Sequence, residues 1–454
     1  MSLLRPAKQP VWGRNPFLSA PSPEAARAAS TDGREGMWDS LRVRDFRYVW
    51  CGHLASSFAM NMQMVARGWL VYAMTTSPTK LAWVMLSFMV PQVVFSLVGG
   101  VLADRYNKKK VVAIAQGLNC VATLMLAVFL MADIVTFWDF IWFGFFNGTV
   151  LALSMPARTA FIPDVVGERL IFNAMALSTT SMNLARILGP ALAGGLIAII
   201  AGGNTNSAYG VGIVYIVIAV LYFVSATSIL LVRTPGKASV RPGGRALADI
   251  RQAWRFVLRS ELLLGLIILS IIPFLWGMGV STLMPAFNQD VLGGGPDDLG
   301  LLVGAMGVGA IIGSLWLARM SQMGNKGLAM YALSGLWAVA IVLFALSTSL
   351  WTAMLTVALV GLCSSIFMSM NRSLIQLAVT PEMRGRVMSI DMMSHGLMPL
   401  GIIPISFIAE YKSIEFALVF SAILLAASTL LLAVLMPALG RIDKGYGMAD
   451  TRRT

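Results

Sequence analysis

The sequence predicts an all-α membrane protein of twelve transmembrane helices in two six-helix bundles, with both termini cytoplasmic. Three observations predict it: the apolar composition, the spacing of long apolar runs, and the side on which basic residues fall. Of the 454 residues 57% are hydrophobic and only 12% charged, and the mean hydropathy is +0.76, which is more apolar surface than a soluble fold can hide. Runs of about 20 apolar residues, each long enough for roughly 30 Å of hydrocarbon, lie near 48–75, 80–102, 110–132, 136–156, 172–201, 211–232, 263–289, 299–318, 327–347, 350–371, 386–409 and 415–436. The runs are continuous rather than alternating, and an open sheet edge cannot stand in lipid, which excludes strands. With both termini in the cytoplasm, all but four of the 34 Lys and Arg fall in terminal tails and cytoplasmic loops, where basic residues stay preferentially. The exceptions are Lys80 and Lys412 on the opposite side and Arg67 and Arg186 inside apolar runs. The net charge of +13 therefore faces lipid headgroups and calls for no nucleic-acid partner.

Taken in order, residues 1–40 are rich in Pro, Ala, Ser and Arg without a central apolar stretch, as expected of a disordered cytoplasmic tail rather than a cleaved signal. Residues 41–233 make the N-terminal bundle and 262–437 the C-terminal one. Between them, 234–261 is a cytoplasmic linker in which Leu247, Ile250, Trp254 and Val257 recur at helical spacing among Arg251, Arg255 and Arg259, a helix lying in the membrane interface. Residues 438–454 are a second cytoplasmic tail. Cys51, Cys120 and Cys363 sit singly in apolar runs, without metal-ligand spacing or a redox partner, and read as packing residues.

The halves look duplicated. Run 2 ends Gly100 to Arg105 and run 8 ends Gly313 to Arg319, an offset of 213 between the glycines. Run 4 ends at Arg158 and run 10 at Arg372, an offset of 214. A near-constant offset at two separated places implies a six-helix repeat with both copies in one orientation, and hence a mid-membrane cavity between two rocking bundles.

Gly100 to Lys110, GVLADRYNKKK, carries chemistry that the positive-inside rule does not explain. Gly99 and Gly100 permit close helix approach, Asp104 at a helix end can accept from the amides of a neighbouring helix N-terminus, and Arg105, Lys108 and Lys109 anchor the loop. The stretch closely resembles the loop 2/3 signature of the major facilitator superfamily, G-x-L-a-D-R-x-G-R-[RK]-[RK]. Asn107 replaces the usual glycine, and Asn tolerates the left-handed conformation better than most residues. The resemblance implies that Asp104 clasps the helix starting near Arg384 to Val387 and holds an outward-open state. The second half has lost this acid, since Arg319 follows Ala318 directly.

RTAFIPDVVGERLIFNAMALSTTSMNLARILGPALAGG at 158–195 resembles the enterobactin-exporter and macrolide-efflux branch of the superfamily. So do NRSLIQLAVTPEMRGRV at 371–387 and RVRDFRYVW at 42–50. Arg158 and Arg372 fall where that branch's pattern places loop arginines. Gly189, Pro190 and Gly194 resemble a shortened antiporter signature associated with a helix bend; physically, Pro190 removes one intrahelical hydrogen bond and the glycines admit a close neighbour.

A charge at mid-bilayer costs about 2.5–3.5 kcal/mol and normally faces an interior or a wet cavity. Arg67, near Asn61 and Gln63, and Arg186, near Asn183, are therefore expected to line the cavity and attract an anionic or acceptor-rich substrate. Asp391 and His395, four apart on one helical face, are expected to exchange protons. A carboxylate that loses a cationic partner as the bundles rock can take up a proton. The 29 Met residues suit a cavity of variable apolar shape. No Walker loop, zinc cluster or catalytic set is present, so an enzyme, a metal site and ATP as fuel are not expected.

The reading is a monomeric secondary transporter of the bacterial inner membrane that exports a small amphipathic compound such as a siderophore, antibiotic or drug. It needs no cofactor beyond a proton gradient. A lipid or lysolipid carrier is the alternative within transport, and a transport-inactive sensor or scaffold the alternative of another class.

Overall fold

A computed structural model describes residues 38–167, 169–201, 208–236, 246–319, 325–437 and 439; the expected tails lie almost wholly outside these. Apart from short connections the described residues are helical, as backbone in lipid must be to satisfy its own hydrogen bonds. In the first half run α1 (Arg44–Thr75), α2 (Pro78–Arg105), α3 (Lys108–Met131), α4 (Phe137–Val166), α5 (Ile171–Ala201) and α6 (Ala208–Leu231). The linker contributes α7 (Ala246–Arg259). The second half holds α8 (Glu261–Trp276), α9 (Gly279–Asp290), α10 (Pro296–Arg319), α11 (Lys326–Ala345), α12 (Leu350–Ala378), α13 (Pro381–Ser394), α14 (Met398–Tyr411) and α15 (Ile414–Leu435).

Ten described helices, with Glu261–Asp290 taken as one, are long and apolar enough to cross a bilayer. The two remaining predicted runs differ for physical reasons. Helix α1 carries Asn61, Gln63 and Arg67 amid its apolar residues. The run at 386–409 is not one helix: it breaks into α13 and α14 around a 3-10 turn at His395–Leu397, where Pro399 cannot donate to the preceding turn and opens α14 instead.

The repeat is built into the packing. In the first half α2 lies on α4 and α3 on α6; in the second α10 lies on α12 and α11 on α15. Glycines set the closest approaches. A Cβ on Gly148 would lie 2.1 Å from the Phe88 carbonyl oxygen, and one on Gly361 would lie 2.0 Å from that of Met306, so only glycine admits these backbone contacts. Large apolar side chains such as Trp138, Trp142, Phe172 and Leu430 remain exposed, as befits surface meeting lipid rather than water.

Two ends can be distinguished. One, here the basic end, carries Arg105, Lys108, Arg319 and Lys326 at the adjoining ends of α2, α3, α10 and α11. The other carries the ends of α1 and α9 and the starts of α2 and α10.

Candidate functional site

Between the halves lies a cavity of about 610 Å³. Helix α12 supplies one wall through Ser365, Met368, Ser369, Arg372 and Gln376, residues three or four apart and therefore on one face. Helix α5 supplies Arg186, α1 supplies Asn61 and Met64, α9 and α10 supply Ser281, Met284 and Met306, and Met278 joins them from the N-cap of α9. The wall thus combines two guanidinium groups, several hydroxyls and polarizable thioethers. That set can hold the anionic or acceptor-rich part of a molecule while adapting to its apolar body.

At the end opposite the basic one the halves meet directly. Helices α5 and α10 press backbone to backbone: a Cβ on Gly194 would lie 2.1 Å from the Pro296 carbonyl oxygen, and one on Gly300 would lie 2.6 Å from that of Pro190. Tyr72 on α1 donates to Asp290 at the end of α9. Glu410 on α14 accepts from the Ser77 hydroxyl at 2.7 Å and from the Thr79 amide at 3.1 Å, at the start of α2. Toward the basic end the cavity wall runs down α12 as far as Gln376, two residues from the end of that helix. The cavity is therefore closed at one end only.

Asp391 is buried beside this cavity. It accepts from Ser270 Oγ at 2.7 Å, and the Arg372 Nε stands 3.9 Å from its Oδ2. Arg372 itself, expected in a loop, lies inside α12 because that helix continues to Ala378 beyond the apolar run. Arg158, also expected in a loop, lies inside α4 and donates to Ser56 Oγ at 2.9 Å. The structure thus adds a term to the repeat: Ser56 and Ser270 stand 214 apart, like Arg158 and Arg372.

The remaining expected residues divide. Asn61 and Arg186 line the cavity, but Arg67 and Gln63 do not. Both are buried within the first half, 5% and 4% exposed. Arg67 stacks its guanidinium 5.1 Å over the Phe88 ring, and Gln63 accepts from the Tyr222 hydroxyl at 3.2 Å. Asn183 is half-buried on α5 and is not among the cavity residues. The backbone of His395 falls in the 3-10 turn, so the helical register that would set it one turn from Asp391 is interrupted; its side chain lies outside the described residues. Gly189 packs on Asn61 and Gly194 on α10, so the Gly189–Pro190–Gly194 stretch acts as a contact surface within a continuous α5.

At the start of the GVLADRYNKKK stretch the close approach belongs to the preceding Gly99, whose Cβ would lie 2.2 Å from the Ala152 oxygen; one on Gly100 would meet nothing within 4 Å. Asp104 and Arg105 are exposed, and among the described residues Asp104 makes no ion pair, as expected where the basic end is open. Lys108 instead bonds Asp164 at 2.8 Å and Lys109 donates to the Val232 carbonyl at 2.6 Å. Asn107 is not left-handed, with φ −64°; it caps α3 by accepting from the Lys110 amide.

A membrane-embedded pair of repeated bundles enclosing a charged cavity sealed at one end defines a transporter rather than an enzyme. Residues 35–444 match the family described as transmembrane secretion effector, and the chain belongs to that family of the major facilitator superfamily. It is similar to the enterobactin exporter EntS of Salmonella choleraesuis (strain SC-B67), 28% identical over 292 residues, which are 64% of this chain and 67% of that one. It is also similar to the staphyloferrin A transporter of Staphylococcus aureus (strain NCTC 8325 / PS 47), 24% identical over 73% of this chain and 81% of the other. In fold it resembles the nucleoside transporter NupG, with TM-score 0.69 and 13% identity over 87% of this chain and 99% of that one. It likewise resembles a bacterial homolog of the human lysosomal transporter Spinster in an inward-facing, unoccupied conformation, with TM-score 0.64 and 13% identity over 92% of this chain and 99% of the other.

Proposed function

We propose that this protein exports a siderophore-like amphipathic compound, anionic or acceptor-rich at one end, from the bacterial cytoplasm. It works by alternating access, as a monomer crossing the inner membrane twelve times with both termini inside. The observation that carries this reading is the cavity itself: Arg186 and Arg372 face each other's bundles across hydroxyl- and methionine-bearing walls, with access from the basic end and a seal at the other. Because basic loops stay in the cytoplasm, the open end is the cytoplasmic one. Export follows when the seal between α5 and α10 parts and the clasp at Asp104 forms. An enterobactin exporter and a staphyloferrin A transporter among the relatives support the substrate class. Asp391 is the carboxylate that exchanges protons, and the proton-motive force supplies the energy.

Everted membrane vesicles energised with a respiratory substrate test the reading. Enterobactin should accumulate inside them, more slowly with Arg186→Gln, and collapse of the proton-motive force should abolish uptake. Uptake of a lysophospholipid instead of enterobactin would replace this reading with a lipid carrier. Uptake of neither would reject export.

A further inference from the structure

On the outer surface of the first half α3 and α4 splay apart. Each packs chiefly on another helix, α3 on α6 and α4 on α2, and between them lies a groove of about 500 Å³ that shares no lining residue with the central cavity. Helix α3 presents Val121, Met125 and Phe129 to it, and α4 presents Trp142 and Phe146. Val121 is 66% and Trp142 68% exposed, so the groove opens on the surface that meets lipid. Along α4 it runs from Asp139, in the first turn, to Thr149, which is about 15 Å at the helical rise. That is half of the roughly 30 Å hydrocarbon thickness, the depth of one leaflet. Asp139 marks its mouth, at the end opposite the basic one, and the neighbouring Trp138 is exposed there, as indole rings are at headgroup level.

Asp139 is the one charged residue lining the groove. Its Oδ2 accepts from the Thr136 amide at 2.7 Å and from the Thr136 hydroxyl at 2.8 Å, which caps α4. Among the described residues its Oδ1 accepts no hydrogen bond and no cation pairs with it; Lys80, on α2, rests over the Phe137 ring instead, 6.0 Å from its centroid. The second half provides an internal control. Ser349 and Thr352 stand 213 residues beyond Thr136 and Asp139, and Trp351 the same distance beyond Trp138. The Ser349 amide donates to Thr352 Oγ1 at 3.4 Å and the two hydroxyls are 2.9 Å apart, so a neutral side chain makes the same pair of contacts at the start of α12. The cap therefore does not require a charge, and the negative charge of Asp139, with one oxygen unused, is peculiar to the first half.

We propose that this groove binds one acyl chain of a phospholipid whose headgroup carries a primary ammonium, with the ammonium donating to Asp139 Oδ1 and the chain lying between α3 and α4 as far as the bilayer midplane. The apolar walls hold the chain, and the carboxylate selects the head. A primary ammonium makes a charge-assisted hydrogen bond to it, whereas an anionic head without an ammonium is repelled. Both walls belong to the first half, so the site is independent of the cargo and of the direction of transport.

The test reads quenching of Trp142 fluorescence by lipids brominated on the acyl chain, with the full chain in phosphatidylcholine nanodiscs and Trp142→Phe defining the Trp142 component. Brominated phosphatidylethanolamine should quench that component at a mole fraction about two- to fivefold lower than brominated phosphatidylglycerol, the worth of one ion pair at a wet surface. Asp139→Asn, whose side-chain oxygen can still accept from Thr136, should make the two lipids equal. Val121→Phe, which fills the groove from its lipid side, should protect Trp142 from both. In the unsubstituted chain, N-acetylated phosphatidylethanolamine, which lacks the ammonium, should behave like phosphatidylglycerol. Equal quenching by phosphatidylethanolamine and phosphatidylglycerol, a preference that survives Asp139→Asn or N-acetylation, or unchanged quenching in Val121→Phe would each overturn the proposal. So would protection of Trp142 that grows with the protein-to-lipid ratio, which would place a second copy of the chain in the groove.

Discussion

Replacing Gly194 by valine should wedge open the seal at the end opposite the basic one. A Cβ there would lie 2.1 Å from the Pro296 oxygen and 3.1 Å from the Asp297 Cα, both main-chain atoms with no rotamer to escape into. Relief requires α5 and α10 to separate by about 1.4 Å to reach the ~3.5 Å of ordinary van der Waals contact. Overpacking of this kind costs about 1–3 kcal/mol, and under the proposed cycle the cost falls on the sealed state alone, because there the two helices part in the outward-open one. The equilibrium should therefore move toward the outward-open state by about 5- to 150-fold. The assay is reaction of a cysteine at Ser281, a cavity residue, with a membrane-impermeant maleimide added outside, after Cys51, Cys120 and Cys363 have been replaced by serine. The labelling rate should rise by that factor with Gly194→Val. It should not change with Gly195→Val, where a Cβ meets nothing within 4 Å. Labelling of the Gly194 variant at the parental rate would show that the seal does not lie between these helices.

Tyr72→Phe with Glu410→Ala removes three polar contacts of the same seal, and external labelling at Ser281 should rise at least about tenfold, since ordinary hydrogen bonds at about 0.5–1.5 kcal/mol each sum to at least about 1.5 kcal/mol. Gly148→Val sets a side chain against the Phe88 backbone within one half; it should lower the melting temperature in detergent through a loss of about 1–3 kcal/mol without favouring either face of the cavity. At the basic end, burial tends to raise the Asp45 pKa, but hydrogen bonds from the Thr234 hydroxyl and from the Thr234 and Arg233 amides outweigh it and hold the carboxyl below its ordinary range. A depressed carboxylate contributes stability above its unfolded pKa of about 3.9 and loses it as pH falls through the folded value. Asp45→Asn should therefore speed amide exchange at 233–234 at neutral pH, and the difference from wild type should vanish only below about pH 4.

Much of this architecture is legible in residue order because lipid imposes it: apolar length marks a helix, and basic residues mark one face. The internal repeat was readable too, since Gly100, Arg158 and their counterparts recur at one offset, and the structure extends the correspondence to Ser56 and Ser270. What the order of residues does not carry is rotation about each helix axis. Arg67 and Arg186 look alike in sequence, each a lone cation in an apolar run. A helix apolar on every side gives no phase to tell which points into the cavity, and Phe88 and Met85 come from a different helix altogether. Arg372 was missed as an intramembrane residue because the apolar run stops at residue 371 while the helix continues to Ala378. The stripe of Ser365, Ser369, Arg372 and Gln376 at helical spacing was the available signal. The pairing of Asp391 with Arg372 and Ser270 joins three helices and could not be read from local spacing.

The joint between α5 and α10 is made of main chain on main chain, whereas the cavity wall on α12 is made of side chains. Mutational drift can therefore rewrite what the cavity admits, serine to alanine or methionine to leucine, without touching the main-chain surfaces that close its far end. Selectivity and closure are separable in this fold, and a lineage could acquire a new cargo while inheriting an unaltered seal.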